Sequence, residues 1–375
     1  MADEIILKIE GVVYDGWTSI SVQRDLASLT TSFSLGLTDR APGAVKRQVI
    51  QKGQACQLYI GSDLLVTGWI EKPGRQLNAQ GHTISASGRD QTCDLIDCST
   101  VGKPGSWKNQ KLDRIVTDLI KPFGLTLDVK ASIGAAFANF AIEPGESVFD
   151  TITRACRMRG VMIGTDANGN VLLFTPSKVL VSGSLEVGRN ILDIDVQDDS
   201  KDLYSVYVVK GQSQGRDWTT PADAAGPKGT ASDPGVTRYR PKVIISDEQA
   251  SGAGLQARAA WEATTRSAKS QSVTIEVRGW RNDDGKLWEP GTLIPVHAAY
   301  VDVDITLMIS GVHYTVDQKG QISQLTLVRK EAFSVEPLPE AGADEKAKKS
   351  KKSKKGGIMS GLLPDTYIEP KFKPK

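Results

Sequence analysis

Few residues in this chain have the types needed for catalysis or metal binding, and their spacing argues against most of the reactions they could support. Three histidines, His82, His297 and His313, lie far apart in strand-like stretches. None has near it in sequence the second and third members of a triad or a metal site, and a lone strand histidine is more often structural. Cys93 and Cys98 are separated by four residues. That is wider than the two-residue knuckle usual for zinc, and no second Cys or His pair completes a four-ligand set. With Cys56 and Cys156 they are too scattered for a disulfide framework, so reduced, partly buried thiols are expected.

Carboxylates cluster twice, as Asp193, Asp195, Asp198 and Asp199, and as Glu143 and Glu146. Asp193 and Asp195 share one face of a strand, which brings two-carboxylate glycoside hydrolysis into consideration. No apolar pocket signature or group of sugar-stacking aromatics accompanies them, so solvated acids at strand ends and at a helix start are the simpler reading. The chain has no G-x-x-x-x-G-K-[ST], no H-E-x-x-H and no G-x-S-x-G, the motifs of phosphate loops, zinc proteases and serine hydrolases. No catalytic residue, cofactor site or metal site is expected.

Charge points the same way. Lys plus Arg number 46 against 44 Asp plus Glu, a net +2, which is not the basic footprint of a nucleic-acid-binding domain. Seven lysines, Lys346, Lys348, Lys349, Lys351, Lys352, Lys354 and Lys355, sit in one short run, and without them the remainder carries −5. That run reads as a solvated, disordered linker. The start carries Asp3 and Glu4 where an export signal would be basic, and no apolar stretch approaches the roughly 18 residues of a spanning helix. No membrane insertion is expected.

The elements fall into blocks. Residues up to about 90 alternate as short strands, with Ile5, Leu7 and Ile9, then Phe33, Leu35 and Leu37, then runs at 56–60, 64–71 and 82–89, giving a β-rich unit, a small barrel by its turn spacing. From Trp107 the period changes: Leu112, Ile115, Val116, Leu119, Ile120 and Phe123 lie on one helical face, with Gly124 to end it. A second helix starts at Ser147, with Asp150 three residues on, a stripe of Phe149, Ile152 and Cys156, and Gly160 to close it. Asn168-Gly169 then marks a hairpin between strands at 161–164 and 171–174. Strands at 191–196 and 203–210, a long loop over 211–236, an Ala-rich helix over 247–268 and strands at 273–277, 293–298, 305–316 and 322–328 complete the pattern. One echo runs through it. Gly53, Val66 to Ile70, Gly81 and a strand ending at Arg89 parallel Gly291, Ile309 to His313, Gly320 and a strand ending at Arg329.

The expected fold class is therefore α+β, mainly β: two similar small β-barrels with an inserted α+β domain and a helix-containing segment, followed by a basic disordered tail. The blocks are 1–104, the first barrel, completed by strands in 186–240; 105–185, the α+β domain with two helices; 186–270, connecting strands, long loop and Ala-rich helix; 271–335, the second barrel; and 336–375, the Lys-rich tail. Apolar residues return after the lysines at Ile358, Met359, Leu362, Leu363, Tyr367 and Phe372, a candidate segment for docking onto a partner.

This order of blocks resembles the baseplate hub family of contractile phage tails, in its Mu-like tail protein P branch and more distantly late control protein D and the base of type VI secretion spikes. The resemblance is carried by Glu143-Pro-Gly-Glu-Ser147-Val-Phe-Asp-Thr-Ile152, Arg154-Ala-Cys-Arg157, Arg159-Gly-Val161, Leu287-Trp-Glu-Pro-Gly291 and Gly311 to Arg329, and covers about residues 1–335. It implies a non-enzymatic virion protein, assembled in the host bacterial cytoplasm into the tail baseplate. Its implied partners are two further copies of itself in a trimeric pseudo-sixfold ring, the central spike, tail tube or distal tail proteins and other baseplate proteins, with DNA only in transit. A cell-wall glycoside hydrolase carried in a tail is the main alternative, and a β-rich carbohydrate-binding module a third.

Overall fold

The computed structural model describes residues 3–39, 50–78, 81–101, 105–176, 179–211, 228–246, 252–317, 320–334 and 336. The lysine run and the docking candidates Ile358, Met359, Leu362, Leu363, Tyr367 and Phe372 lie outside the described residues. Strands β1 (Ile5–Ile9), β2 (Val12–Tyr14), β3 (Ser19–Asp25), β4 (Ser32–Asp39), β5 (Ala55–Ile60), β6 (Asp63–Asn78) and β7 (Gly81–Asp90) form the first β half. They are ordered β3-β4-β7-β6-β5-β1-β2. The alternation expected of Ile5, Leu7 and Ile9 is realised, all three being buried, because period-2 placement puts every second side chain on the core face.

The α+β unit follows: α1 (Cys93–Asp97), β8 (Ser106–Gln110), α2 (Leu112–Ile120), β9 (Leu127–Val129), β10 (Phe137–Ala141), α3 (Val148–Arg157), β11 (Met162–Thr165) and β12 (Val171–Phe174). Leu112, Ile115, Val116, Leu119 and Ile120 of α2 are all buried, and Gly124 closes the following 3-10 turn at φ +70°. At α3, Ser147 Oγ accepts the Asp150 N–H at 3.0 Å and donates to the Asp150 carboxylate at 2.7 Å, so side chain and backbone cap one another. The hairpin at Asn168-Gly169 joins antiparallel β11 and β12, with Gly169 at φ +82°. Leu95 of α1 belongs to this core, so the unit starts before residue 105. Asp90, at the seam, is buried and accepts bonds from Thr31 N, Thr92 N and Thr92 Oγ1.

The second β half uses β13 (Leu185–Glu186) and β14 (Ile191–Asp198). Next come β15 (Val206–Lys210), β16 (Lys228–Ser232), β17 (Pro241–Ile245) and α4 (Gly252–Lys269), then β18 (Gln271–Arg278), β19 (Leu293–Ala298), β20 (Val303–Asp317) and β21 (Gly320–Val328). Here the structure corrects two expectations. The strands between 186 and 240 do not complete the first half. β14 pairs with β18, matching Ile194 and Val196 to Ile275 and Val273, while β15 lies between β16 and β17 in a separate sheet under α4. The expected loop over 211–236 also contains strand β16. Its Lys-Gly-Thr-Ala-Ser sequence hides the strand, since Gly229 is there to let the sheet meet α4: a Cβ on it would collide with the backbone of Leu255.

Both β halves belong to one continuous 13-stranded sheet, joined where β20 pairs with β3, and their apolar residues form one cluster. A second tie lies at the chain start. The Arg281 guanidinium bonds Asp3 at 2.8 Å and Asp63 at 2.6 Å, with the Gly285 carbonyl also at 2.8 Å. Replacing Gly229 by Ala should lower stability by about 1–3 kcal/mol through overpacking; urea unfolding followed by circular dichroism checks it, and an unchanged midpoint would contradict the close contact with α4.

Candidate functional site

The side chains with chemical potential are dispersed. His297 Nδ1 lies 2.6 Å from Asp304 Oδ1 on an exposed surface. His313 Nε2 lies 2.8 Å from Ser21 Oγ across the β20–β3 ladder, where burial pushes the imidazole below its ordinary value. Cys56, Cys93 and Cys156 are buried free thiols and Cys98 is exposed; burial pushes the first three up to about 12, away from thiolate reactivity. Among the described residues no group of three or more His, Cys, Asp or Glu is placed to hold a metal ion, and no helix is long and apolar enough to cross a membrane.

The two carboxylate clusters have different surroundings. Glu146 is clamped by Arg154 through bonds of 2.8 Å to each carboxylate oxygen and accepts Thr151 Oγ1 at 3.0 Å. The guanidinium holds its pKa down at about 2. Arg154 also reaches the Ala141 carbonyl and stacks on Phe140, and Glu143 lies 3.7 Å from it. This is a pin between β10 and α3, and a carboxylate fixed in an ion pair is a poor proton donor. Asp193, Asp195, Asp198 and Asp199 are exposed along and just beyond β14. A cavity of about 520 Å³ does lie between the two β halves and the α+β unit, lined by Arg24, Asp25, Lys130, Asp166, Phe174 and Glu289, but none of the acids singled out in the sequence opens onto it.

The most informative geometry is a repeat. In the hairpin β6–β7, Ile70 faces Gly88, Lys72 faces Ser87 and Asn78 faces Gly81. In β20–β21, Ile309 faces Leu327, Gly311 faces Thr326 and Asp317 faces Gly320. One constant shift in numbering carries every member of the first set onto the second, including the bulge that leaves Glu71 and Ser310 as the extra residues. The approach to each hairpin matches too. Gly53 N–H donates to Ile70 O and Ile70 N–H to Gln54 O, at 2.6 and 2.9 Å; Gly291 N–H donates to Ile309 O and Ile309 N–H to Thr292 O, at 2.7 and 2.9 Å. Both glycines have positive φ. Outward from the hairpin, β4 then β3 occupy the places that β18 then β14 occupy in the other half.

The structure thus keeps two pairings from the sequence echo, Gly53 with Gly291 and Gly81 with Gly320. It corrects the middle one, because Ile70 rather than Val66 corresponds to Ile309. The sequence reading missed the edges this repeat leaves exposed. β3 is covered by β20, so Ile20 and Val22 are 7% and 0% exposed. Their counterparts Ile194 and Val196 on β14 are half-buried, since apart from a bridge between Val187 and Ile191 the outer edge of β14 has no strand partner among the described residues. Likewise, among the described residues, β6 beyond Trp69 has no strand where β20 has β3, although Arg75 reaches the Ile50 carbonyl at 3.0 Å, and Leu77 is 82% exposed.

Three family models match in chain order: Mu phage baseplate assembly protein GpP-like, N-terminal, at residues 4–90; baseplate hub protein gp44-like, second domain, at 92–175; and Mu phage baseplate assembly protein GpP, fourth domain, at 251–336. The baseplate hub protein gp44 of Escherichia phage Mu is 34% identical over 378 residues, 98% of this chain and 96% of its own. The 43 kDa tail protein of prophage MuSo2 from Shewanella oneidensis superposes with a TM-score of 0.80 at 31% identity, over 88% of this chain and 99% of its own. A tail protein from Neisseria meningitidis MC58 shares the fold with a TM-score of 0.75 at 21% identity, over 90% of this chain and 100% of its own.

Glu146→Gln should cost about 1–2 kcal/mol near neutral pH, where the charged pair is intact. The folded-state pKa is depressed, so the stabilisation is full above the ordinary value of 4.5 and is lost as pH falls toward about 2. Thermal melts of both proteins across that range should converge, and a gap that persists at the acid end would rule out the ion pair as its source.

Proposed function

The chain belongs to the baseplate hub family of Mu-like phage tails, and from that premise we propose that three copies close into a pseudo-sixfold ring. The ring joins the sixfold tail tube to the threefold central spike and leaves a channel for DNA. The observation that carries this reading is the repeated hairpin with its matched flanking strands. A chain presenting two near-equivalent β halves offers six similar faces when three copies close around an axis, which is how a threefold object meets a sixfold one. Other baseplate proteins bind its outside. Function then resides in interfaces, and the exposed acids of β14 and the pinned Glu146 have no reaction to perform.

A channel that DNA must traverse holds it weakly, because a wall making roughly 6 to 10 phosphate contacts would bind tightly by counterion release. The near balance of charge outside the lysine run supports a lining without dense Lys and Arg. The tail after Glu336 acts as a tether, raising the effective concentration of its apolar end near the spike or an adjoining baseplate protein.

Light scattering of the purified protein, alone and with its spike, should give the mass of a trimer in at least one of the two conditions; a monomer in both at high concentration would sink the ring. Truncation after Glu336 should leave a folded protein that still forms the ring but lowers the yield of intact particles. Unchanged yields would show the tail to be dispensable. Asp193→Ala, Asp195→Ala, Glu143→Ala and Glu146→Ala should alter no peptidoglycan-degrading rate. A general acid or base contributes about a hundredfold or more, so loss of a measurable activity in any of them would favour the hydrolase.

A further inference from the structure

Resting on the reading that other baseplate proteins bind the outside of the hub, we propose that one of them docks on the bare face of the sheet β16-β15-β17, through an amphipathic helix with carboxylates at one end. One face of this sheet is already taken. Tyr207 and Val209 of β15 are fully buried, and Val209 packs with Leu255 and Ala259 of α4, joined by Ile244 of β17. Strand alternation turns Val206, Val208 and Lys210 the other way, where no other helix or strand packs among the described residues. The register widens that face. Val208 lies between Val243 of β17 and Thr230 of β16, and Lys210 lies between Ile245 and Lys228. Val243 and Ile245 are 52% and 58% exposed.

The face has the character and the size of one that a helix covers. β15 and β17 pair in parallel, an arrangement typical of sheets covered on both sides, and β17 carries apolar residues toward both sides. Three strands of five residues make a surface roughly 10–14 Å wide and about 17 Å long. That is the width of one helix and the length of about eleven of its residues. α4 already uses the near face in this way. Strand addition at β16 is closed off, because the Gln256 side chain accepts the Thr230 N–H at 3.0 Å and donates to the Thr230 carbonyl at 2.7 Å.

The lysines say what the helix carries. Lys210 and Lys228 stand directly opposite one another on this face, both exposed, and among the described residues neither has a carboxylate partner. Like charges directly opposite destabilise a ladder. A carboxylate set between them turns the repulsion into two attractions. The helix that answers this face therefore lays an apolar stripe on Val206, Val208 and Val243 and ends in Asp or Glu over the two lysines.

The test uses the full-length hub in assembled tail particles, with the photocrosslinker p-benzoylphenylalanine placed at Val243. Irradiation of purified particles should join the hub to a different virion protein, and mass spectrometry should find the joined peptide to be a helix-forming segment with Asp or Glu at one end of an apolar stripe. Joining to residues 212–227 or 337–375 of the hub itself, to a second copy, to a segment without acids, or to nothing would overturn the proposal while leaving the hub in its baseplate. Absence of the unmodified hub from purified particles would instead remove the baseplate reading. A charge exchange tests the lysines separately. Lys210→Glu with Lys228→Glu keeps two like charges opposite one another on exposed positions, so the melting temperature of the isolated protein should barely move. Its incorporation into particles should fall about tenfold or more, the scale of losing one strong interface contact, whereas Lys210→Arg with Lys228→Arg should preserve it. Glutamates that leave incorporation unchanged would show that no acidic helix sits there.

Discussion

Strand β20 is what the rest of the sheet depends on. Its far side pairs with β21 from Met308 to Asp317, while its near side is shared, first with β19 over Val303–Met308 and then with β3 over Gly311–Val316. Hydrogen bonds in a ladder leave a strand in two directions only, so one strand can serve two neighbours on one side only where it changes direction. The bulge at Ser310 provides that change. Ser310 is buried, its hydroxyl donates to Thr326 O, and its carbonyl accepts the Leu26 N–H that ends β3. The same bulge in β6 places Glu71, which is exposed and held by Arg89. An identical backbone device is thus buried in one half and open in the other, because among the described residues only β20 has a strand neighbour there.

The covered edge of β3 and the open edge of β14 face different physical demands. Inside the chain, covalent linkage keeps β3 close to β20, so their contact can be apolar: Ile20 and Val22 lie against Val312, Tyr314 and Val316, and Tyr314 is fully buried, its hydroxyl donating to Trp288 O. The outer edge of β14 has no strand partner among the described residues beyond the Val187–Ile191 bridge, and its exposed Asp193, Asp195, Asp198 and Asp199 are the kind of charges that keep an open edge from pairing with another chain.

Elements with strong local signals were legible in the sequence. The face of α2, the Ser147 cap and the Asn168-Gly169 turn followed from periodicity and capping chemistry alone, since each depends on residues a few positions apart. Strand pairing depends on residues hundreds of positions apart, and there the reading failed. β14 has the alternation of any half-buried strand, and nothing local says that Ile194 answers Ile275. β16 carries almost no apolar signal because its decisive residue is a glycine. The internal echo was visible, but matching Gly68 to Gly311 set the two segments out of step. The structure aligns Ile70 with Ile309 instead, since the bulge and the strand register, more than residue type, are what the halves share. The acids of β14 were legible as a cluster but not as an edge, for their meaning depends on what is missing beside them.

The remaining units fix where the chain leaves the sheet. α4 lies on β15 and β16 and receives the end of the last β half: Trp261 Nε1 donates to Ser334 O at 2.8 Å, Thr265 Oγ1 meets Ser334 Oγ at 3.0 Å, and Arg258 pairs with Glu336. Arg258 and Arg266 share the nearly buried Glu262, so this corner is held by a network as well as by packing. Residues beyond 336 therefore start from a defined point on a rigid helix. The effective concentration of a tethered segment depends on where its anchor sits relative to its target and on the length between. With the anchor fixed on α4 and α4 fixed to the sheet, the ring of three copies proposed above starts its three tails from three equivalent points, so that under that proposal any partner they reach is met with threefold symmetry.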